Sequence, residues 1–166
     1  LKTPKEVLVT IKIPSDNPPI EKTKDIALAL ENIQDPGNMG TIIRIADWFG
    51  IAKIYCSETC VDVYNPKVVQ ATMGSFLRVE VQYIPLQQVF SAHEEIPVYG
   101  ALLGGDNVFS TSLTSPAFLL IGNEGKGLST AIQKYVKHRL TIPKYGAAES
   151  LNAAVATGIL CSMFRK

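Results

Sequence analysis

The stretch that decides the fold is Ala117-Phe118-Leu119-Leu120-Ile121-Gly122-Asn123-Glu124-Gly125-Lys126-Gly127-Leu128-Ser129. Five unbroken apolar residues read as a strand covered on both faces. The glycine-rich turn behind them opens a helix expected over residues 129–136. Strand, glycine turn and helix in that order belong to a parallel α/β layer. The glycine spacing is not that of a dinucleotide-binding turn, and no Gly-Lys-Ser/Thr follows at the P-loop distance. The turn is either a tight connection or a place where a ligand approaches the backbone.

Toward the carboxyl end, residues 139–142 form a short strand that ends in Thr141-Ile142-Pro143. A loop follows, and Ser150-Leu151-Asn152 opens a last helix expected over 150–164, with Ser150 as its cap. That helix is lined with small residues, Ala153-Ala154-Val155-Ala156-Thr157-Gly158. A neighbouring loop, a ligand or another subunit must therefore pack closely against it.

Toward the amino end the same alternation repeats. Residues 26–30 are a continuous apolar strand, followed by the Asp35-Pro36-Gly37-Asn38 turn and a helix over 39–49 that Gly50 stops. Strands are expected at 53–56, 79–83 and 98–103. A helix capped by Asn65 starts at Pro66, and another covers 86–94. The fold class is α/β, a mostly parallel sheet flanked by helices. Such sheets bind ligands at the carboxyl ends of their strands. Residues 6–13 read as one more strand, and 14–24, with three prolines, as a linker. A lone strand cannot bury itself. The expected division is the tail of a preceding domain plus linker at 1–24, and the α/β domain at 25–166. The start at Leu1 fits a fragment or a processed chain.

At 166 residues and 46% hydrophobic, the chain can bury one full core. It has no apolar run of membrane-spanning length and no signal peptide, so a cytoplasmic protein is expected, with no membrane. The net charge of +1 neither demands nor excludes nucleic acid. Cys56, Cys60 and Cys161 make no even disulfide set and no zinc site, so free thiols and no metal are expected. His93 and His138 sit in polar surroundings and are expected to be solvated. No Ser-His-Asp set or carboxylate pair stands out. Arg44 lies among Ile42, Ile43 and Ile45. It either snorkels to the surface or, six residues after Asn38, joins it in facing the strand ends.

Together these stretches resemble the SpoU (TrmH-type) RNA 2′-O-ribose methyltransferases of the SPOUT superfamily. The first family motif is matched by Asn32, Asp35-Pro36, Asn38, Gly40, Arg44, Ala46 and Gly50. The second is matched by Ile121-Gly122-Asn123-Glu124-Gly125 and Gly127. The third is matched by Ile142-Pro143 and Glu149-Ser150-Leu151-Asn152. Residues 68–75 look like the family's segment before the mid-domain strand. The match covers roughly 25–165. Lys144 and Ala153 depart from the family's usual methionine and valine, both in loop or packing positions.

The resemblance implies a SPOUT fold with a carboxyl-terminal deep trefoil knot, against the general rule that chains do not thread loops. It implies S-adenosylmethionine bent in that knot, against Leu102, Gly122, Ile142 and Leu151. It implies a homodimer whose subunits share each site, and RNA, either tRNA or rRNA, as substrate. Residues 1–13 would end a ribosomal-protein-L30-like RNA-binding domain. The family assigns Arg44 to activate the ribose hydroxyl, with Asn38, Glu124, Ser150 and Asn152 positioning it and the ribose. Guanidinium is not ordinarily deprotonated, so Arg44 either acts as base or holds phosphate and a developing alkoxide. Two other readings stand beside this one: an RNA-binding protein of the same fold without catalysis, and a nucleotide-dependent oxidoreductase. The first conflicts with retention of the five polar residues. The second needs a dinucleotide turn that is missing.

Overall fold

The computed structural model describes residue 20 and residues 23–166. The strand expected at 6–13 and most of the 14–24 linker lie outside the described residues.

Among the described residues six strands form one sheet, in the order β3-β2-β1-β5-β4-β6. They are β1 (Ile26–Leu30), β2 (Lys53–Cys56), β3 (Glu80–Tyr83), β4 (Val98–Asn107), β5 (Ala117–Ile121) and β6 (His138–Thr141). Every pairing is parallel. The five-residue runs of β1 and β5 lie side by side at the centre and are buried throughout. This is where unbroken apolar sequence belongs in a parallel sheet.

Among the described residues five α-helices cover the faces: α1 (Pro36–Trp48), α2 (Pro66–Thr72), α3 (Leu86–Ser91), α4 (Thr130–Gln133) and α5 (Ala153–Phe164). One core layer joins the sheet to α1 and α5 through Ile42, Ile43, Leu119 and Leu160. The other joins it to α3 and α4 through Val89, Phe90, Phe118 and Ile132. Phe118 centres that second layer, with Phe90 packed edge-on at 5.4 Å and Tyr55 at 6.0 Å.

Several boundaries differ from the sequence reading. α1 starts at Pro36 rather than 39, because the Asp35 side chain accepts from Asn38 N at 2.8 Å and caps it. α3 ends at Ser91 rather than 94, and α4 spans only 130–133 of the expected 129–136. β4 runs to Asn107 rather than 103. Both Ala101 and Asp106 pair with Leu140, so residues 102–105 loop out of the ladder. Thr141 staples that loop: its hydroxyl donates to Leu102 O at 2.5 Å and accepts from Gly105 N at 2.6 Å. The last helix begins at Ala153, and its cap is Asn152, not Ser150. His93 is buried, not solvated. Its Nδ1 lies 2.9 Å from Val89 O, and its ring packs edge-on to Phe118. His138 is exposed on the edge strand, stacked on Tyr99 at 4.7 Å.

One close approach fixes how α1 and α2 sit. A Cβ on Gly40 would lie 2.4 Å from Ala71 Cβ and 2.9 Å from Val68 O, so α1 touches the α2 backbone there. The small-residue helix α5 packs on α1. A Cβ on Gly158 would come within 3.6 Å of Ile45.

Candidate functional site

The carboxyl ends of β5, β4 and β6 meet the start of α5 around a cavity of about 570 Å³. Its apolar walls include Leu102, Leu128, Ile142 and Leu151. Gly122 lines it where there is no room for a side chain: a Cβ would lie 2.6 Å from both C and O of Gly127.

The turn after β5 is shaped by Asn123. Its side-chain oxygen accepts from Gly125 N and Lys126 N, both at 3.0 Å, and its Nδ2 donates to Asn32 O at 2.9 Å. Asn32 itself sits at φ 59 and donates N–H to Ser57 Oγ at 3.0 Å. The turn after β1 and the turn after β5 are thereby bonded to each other. Asn is one of the few non-glycine residues that take left-handed backbone readily.

Above these turns runs a chain of three side chains. Asn38 Nδ2 donates to Glu124 Oε1, and Asn152 Nδ2 donates to Asn38 Oδ1 at 2.7 Å. Asn152 Oδ1 meanwhile caps α5, accepting from Ala154 N and Val155 N. Asn38 thus joins the segments after β1, β5 and β6, and its amide orientation is fixed from both sides. Glu124 and Ser150 line the cavity, as do Leu102, Gly122, Ile142 and Leu151.

Arg44 lies apart from this group. It is six residues beyond Asn38 on α1, about 9 Å along the axis. It is exposed and makes no hydrogen bond or ion pair to the described residues. Within one chain the structure brings together Asn38, Glu124 and Asn152 but not Arg44.

Sequence reasoning missed Lys126, Gln133 and Arg139, which also line the cavity. It also missed Asn123 and Thr141 as the residues that shape its loops. The signal for Asn123 was present, since Asn at the head of a glycine turn commonly bonds its own backbone two residues on. Among the described residues no group of three or more His, Cys, Asp or Glu could hold a metal ion. No helix there is long and apolar enough to cross a membrane.

Cys60 lies under the first turn. Its sulfur accepts from Ile33 N and donates to Leu30 O, each at 3.3 Å. The Cys56 thiol beside it, aided by Ser57 and backbone N–H groups, outweighs burial and brings Cys60 down to about 7. Burial pushes Cys56 well above the usual thiol range and Cys161 up to about 12.

The sequence profile of the SpoU rRNA Methylase family matches residues 25–162. The chain belongs to that family. The 23S rRNA (guanosine(2553)-2′-O)-methyltransferase of Bacillus subtilis is 32% identical over 162 residues, covering 96% of this chain and 64% of that protein. The 23S rRNA (uridine(2479)-2′-O)-methyltransferase of Streptomyces viridochromogenes is 33% identical, covering 99% and 62%. An RNA methyltransferase of the TrmH family from Porphyromonas gingivalis superposes with TM-score 0.82 at 40% identity, over 91% of this chain and 62% of that one. The AdoMet-bound rRNA methyltransferase of Sinorhizobium meliloti superposes with TM-score 0.80 at 32% identity, over 87% and 57%. The chain spans less than two thirds of the length of each of these relatives. As a SpoU-family member it shares their mostly parallel sheet with flanking helices.

Proposed function

We propose that this chain is the catalytic domain of an enzyme that uses S-adenosylmethionine to methylate a ribose 2′-hydroxyl in tRNA or rRNA. The observation that carries the reading is the Asn38–Glu124–Asn152 chain standing at the rim of the 570 Å³ cavity. The relatives' names supply the class of reaction, and the AdoMet-bound neighbour supplies the cofactor.

The cavity suits that cofactor. Its walls are backbone and aliphatic carbon, which recognise adenine by shape and main-chain bonding. Leu102, Gly122, Ile142 and Leu151 would hold it. When bound, it brings an activated methyl group and its own leaving group. The protein then has to align the hydroxyl oxygen with that methyl, and this is a matter of position more than of bond-making. Glu124, Asn38 and Asn152 are held rigid by one another. With Ser150 they would fix the ribose. As the hydroxyl oxygen forms the new bond to carbon, its proton passes to solvent water. Arg44 would offset the negative charge that develops there and hold the neighbouring phosphate.

Arg44 serves a site only if it reaches one from outside its own chain. What supports a homodimer is the exposed side of α1, where Thr41, Arg44 and Trp48 stand three or four residues apart, Trp48 being 85% exposed. Val155 of α5 is 52% exposed. The same reading has a deep trefoil knot at the carboxyl end, with residues 1–13 as the end of a ribosomal-protein-L30-like domain and 14–24 as a linker. It places the protein in the cytoplasm with its RNA.

The test is complementation between inactive variants. Arg44→Ala and Asn152→Asp subunits are each assayed alone and then mixed, using S-adenosylmethionine with rRNA or tRNA from cells lacking the gene. Recovered methyl transfer in the mixture supports both the activity and the shared site. Transfer by neither wild type nor mixture refutes the activity.

A further inference from the structure

A second cavity, of about 560 Å³, opens on the same edge of the sheet. The glycine turn after β5 is the partition, because Lys126 and Gly127 line both cavities. The remaining walls are the segments that leave β1, β2 and β3. Nothing in the methyl-transfer reading uses this space.

The lining selects a class of ligand. Leu86 and Ile132 are buried and give an apolar floor. The rim carries the Ser57 and Thr59 hydroxyls, 2.9 Å apart, and the exposed Gln87 amide at the start of α3. Glu31 and Glu58 also line it. Glu31 is held by Ser129, which donates from N at 2.7 Å and from Oγ at 2.6 Å. Two carboxylates repel phosphate. A flat, uncharged group with donors and acceptors along its edge fits an apolar floor and an amide–hydroxyl rim, and a nucleobase is such a group. Phosphate finds its partner at the partition. Lys126 opens a stretch from Gly125 to Ala148 that holds Lys126, Lys134, Lys137, Arg139 and Lys144 and no Asp or Glu. All five cations are exposed.

We propose that the second cavity receives the base of a nucleotide adjacent to the one methylated, with the linking phosphate at Lys126. This rests on the RNA methyltransferase reading. The walls are set in advance, because Asn32 is bonded to Ser57 on one side and to Asn123 on the other. A preformed pocket loses little ordering entropy when it binds. The cavity would therefore read sequence context beside the target.

The experiment titrates each of the four nucleoside 5′-monophosphates into the full chain saturated with S-adenosylhomocysteine, following backbone amide shifts. With the first cavity filled, at least one monophosphate should move the Thr59 and Gln87 signals, and the four should differ in affinity. Gln87→Glu and Thr59→Val change exposed positions outside the proposed catalytic group. Each should weaken that binding about tenfold, as loss of an edge contact to a base does, and leave S-adenosylhomocysteine affinity unchanged. Shifts confined to other surfaces, or equal binding by both variants, overturn the proposal. If wild type fails to bind S-adenosylhomocysteine, the methyltransferase reading falls instead, and the same titration without it still decides what the cavity takes.

Discussion

Asn152 Nδ2 donates to Asn38 Oδ1 at 2.7 Å, across 114 residues of chain, while Asn152 Oδ1 caps α5. One side chain therefore has a structural half and a site half, and substitution can separate them. Asn152→Asp keeps the capping oxygen but loses the donor to Asn38. It should melt close to wild type and lose most methyl transfer. Asn152→Ala loses both and should also be less stable by about 1 kcal/mol. Thermal melts beside single-turnover rates check this. An Asn152→Asp enzyme as fast as wild type would dissociate the bond from the chemistry.

Arg44 is exposed and is not among the residues that line the cavity of its own chain. Arg44→Ala should leave cofactor affinity unchanged and lower transfer about a hundredfold, as loss of one preorganised electrostatic group does. Arg44→Lys keeps charge and loses the planar fork. Recovery by lysine means a point charge suffices. A lysine variant as poor as alanine means that the fork geometry or proton acceptance matters. Single-turnover rates measured against pH distinguish the two.

Gly122 and Gly40 fail in different ways when given a side chain. Gly122→Ala drives a methyl into the Gly127 carbonyl at the cavity wall, so isothermal titration should show cofactor binding greatly weakened. Gly40→Ala meets Ala71 Cβ and Val68 O at the α1–α2 contact. It should cost about 1–3 kcal/mol of stability through overpacking. Both positions meet backbone atoms under 3.0 Å, so denaturant melts should show both variants less stable, while only Gly122→Ala also loses cofactor affinity.

Cys60 is the thiol that should react first. It is held near 7, while Cys56 and Cys161 are held up by burial. Iodoacetamide labelling followed by peptide mass spectrometry should rise through neutral pH at Cys60 and stay low at the other two. Because Cys60 accepts from Ile33 N beneath the first turn, its alkylation should also slow methyl transfer. Labelling of Cys161 ahead of Cys60 would contradict the assignment.

Arg165 closes the end of α5 onto the start of β1, meeting Asp25 through Nη1 at 3.1 Å and Nη2 at 2.8 Å. Its hydrogen bonds hold the Asp25 carboxyl below the usual carboxylate value. A depressed carboxyl stabilises the fold above its unfolded pKa of about 3.9 and loses that contribution as pH falls through the lower folded value. The pair is partly exposed, so Asp25→Asn should cost no more than about 1 kcal/mol at pH 7. Urea melts should show the difference from wild type shrinking below pH 4. A difference that grows on acidification reverses the sign.

The central strands were legible because burial on both faces leaves no alternation to misread. β1 and β5 are apolar at every position and begin and end where the runs do. The far end of β4 was not legible, since Leu103-Gly104-Gly105-Asp106-Asn107 looks like a turn: residues 102–105 do loop out, and only Asp106 and Asn107 rejoin the ladder, against Leu140 and Thr141 of β6. His93 was misread because Glu94 and Glu95 beside it suggest solvent. α3 ends at Ser91, and the next turn swings the ring under Phe118. Ser150 and Asn152 are both good caps, and spacing alone cannot choose between them. The cluster itself was readable only by matching motifs. No periodicity joins Asn38 to residues 86 and 114 positions away.

That long reach sets an order in time. Asn38 is synthesised 114 residues before its second partner, Asn152. A ribosome-bound chain can lay down β1, α1 and the glycine turn and still have only half of the linkage. A nascent chain that has not yet released its final helix should therefore be inert toward RNA. Fraying of α5 at its first turn would switch off a finished molecule in the same way, without unfolding the sheet.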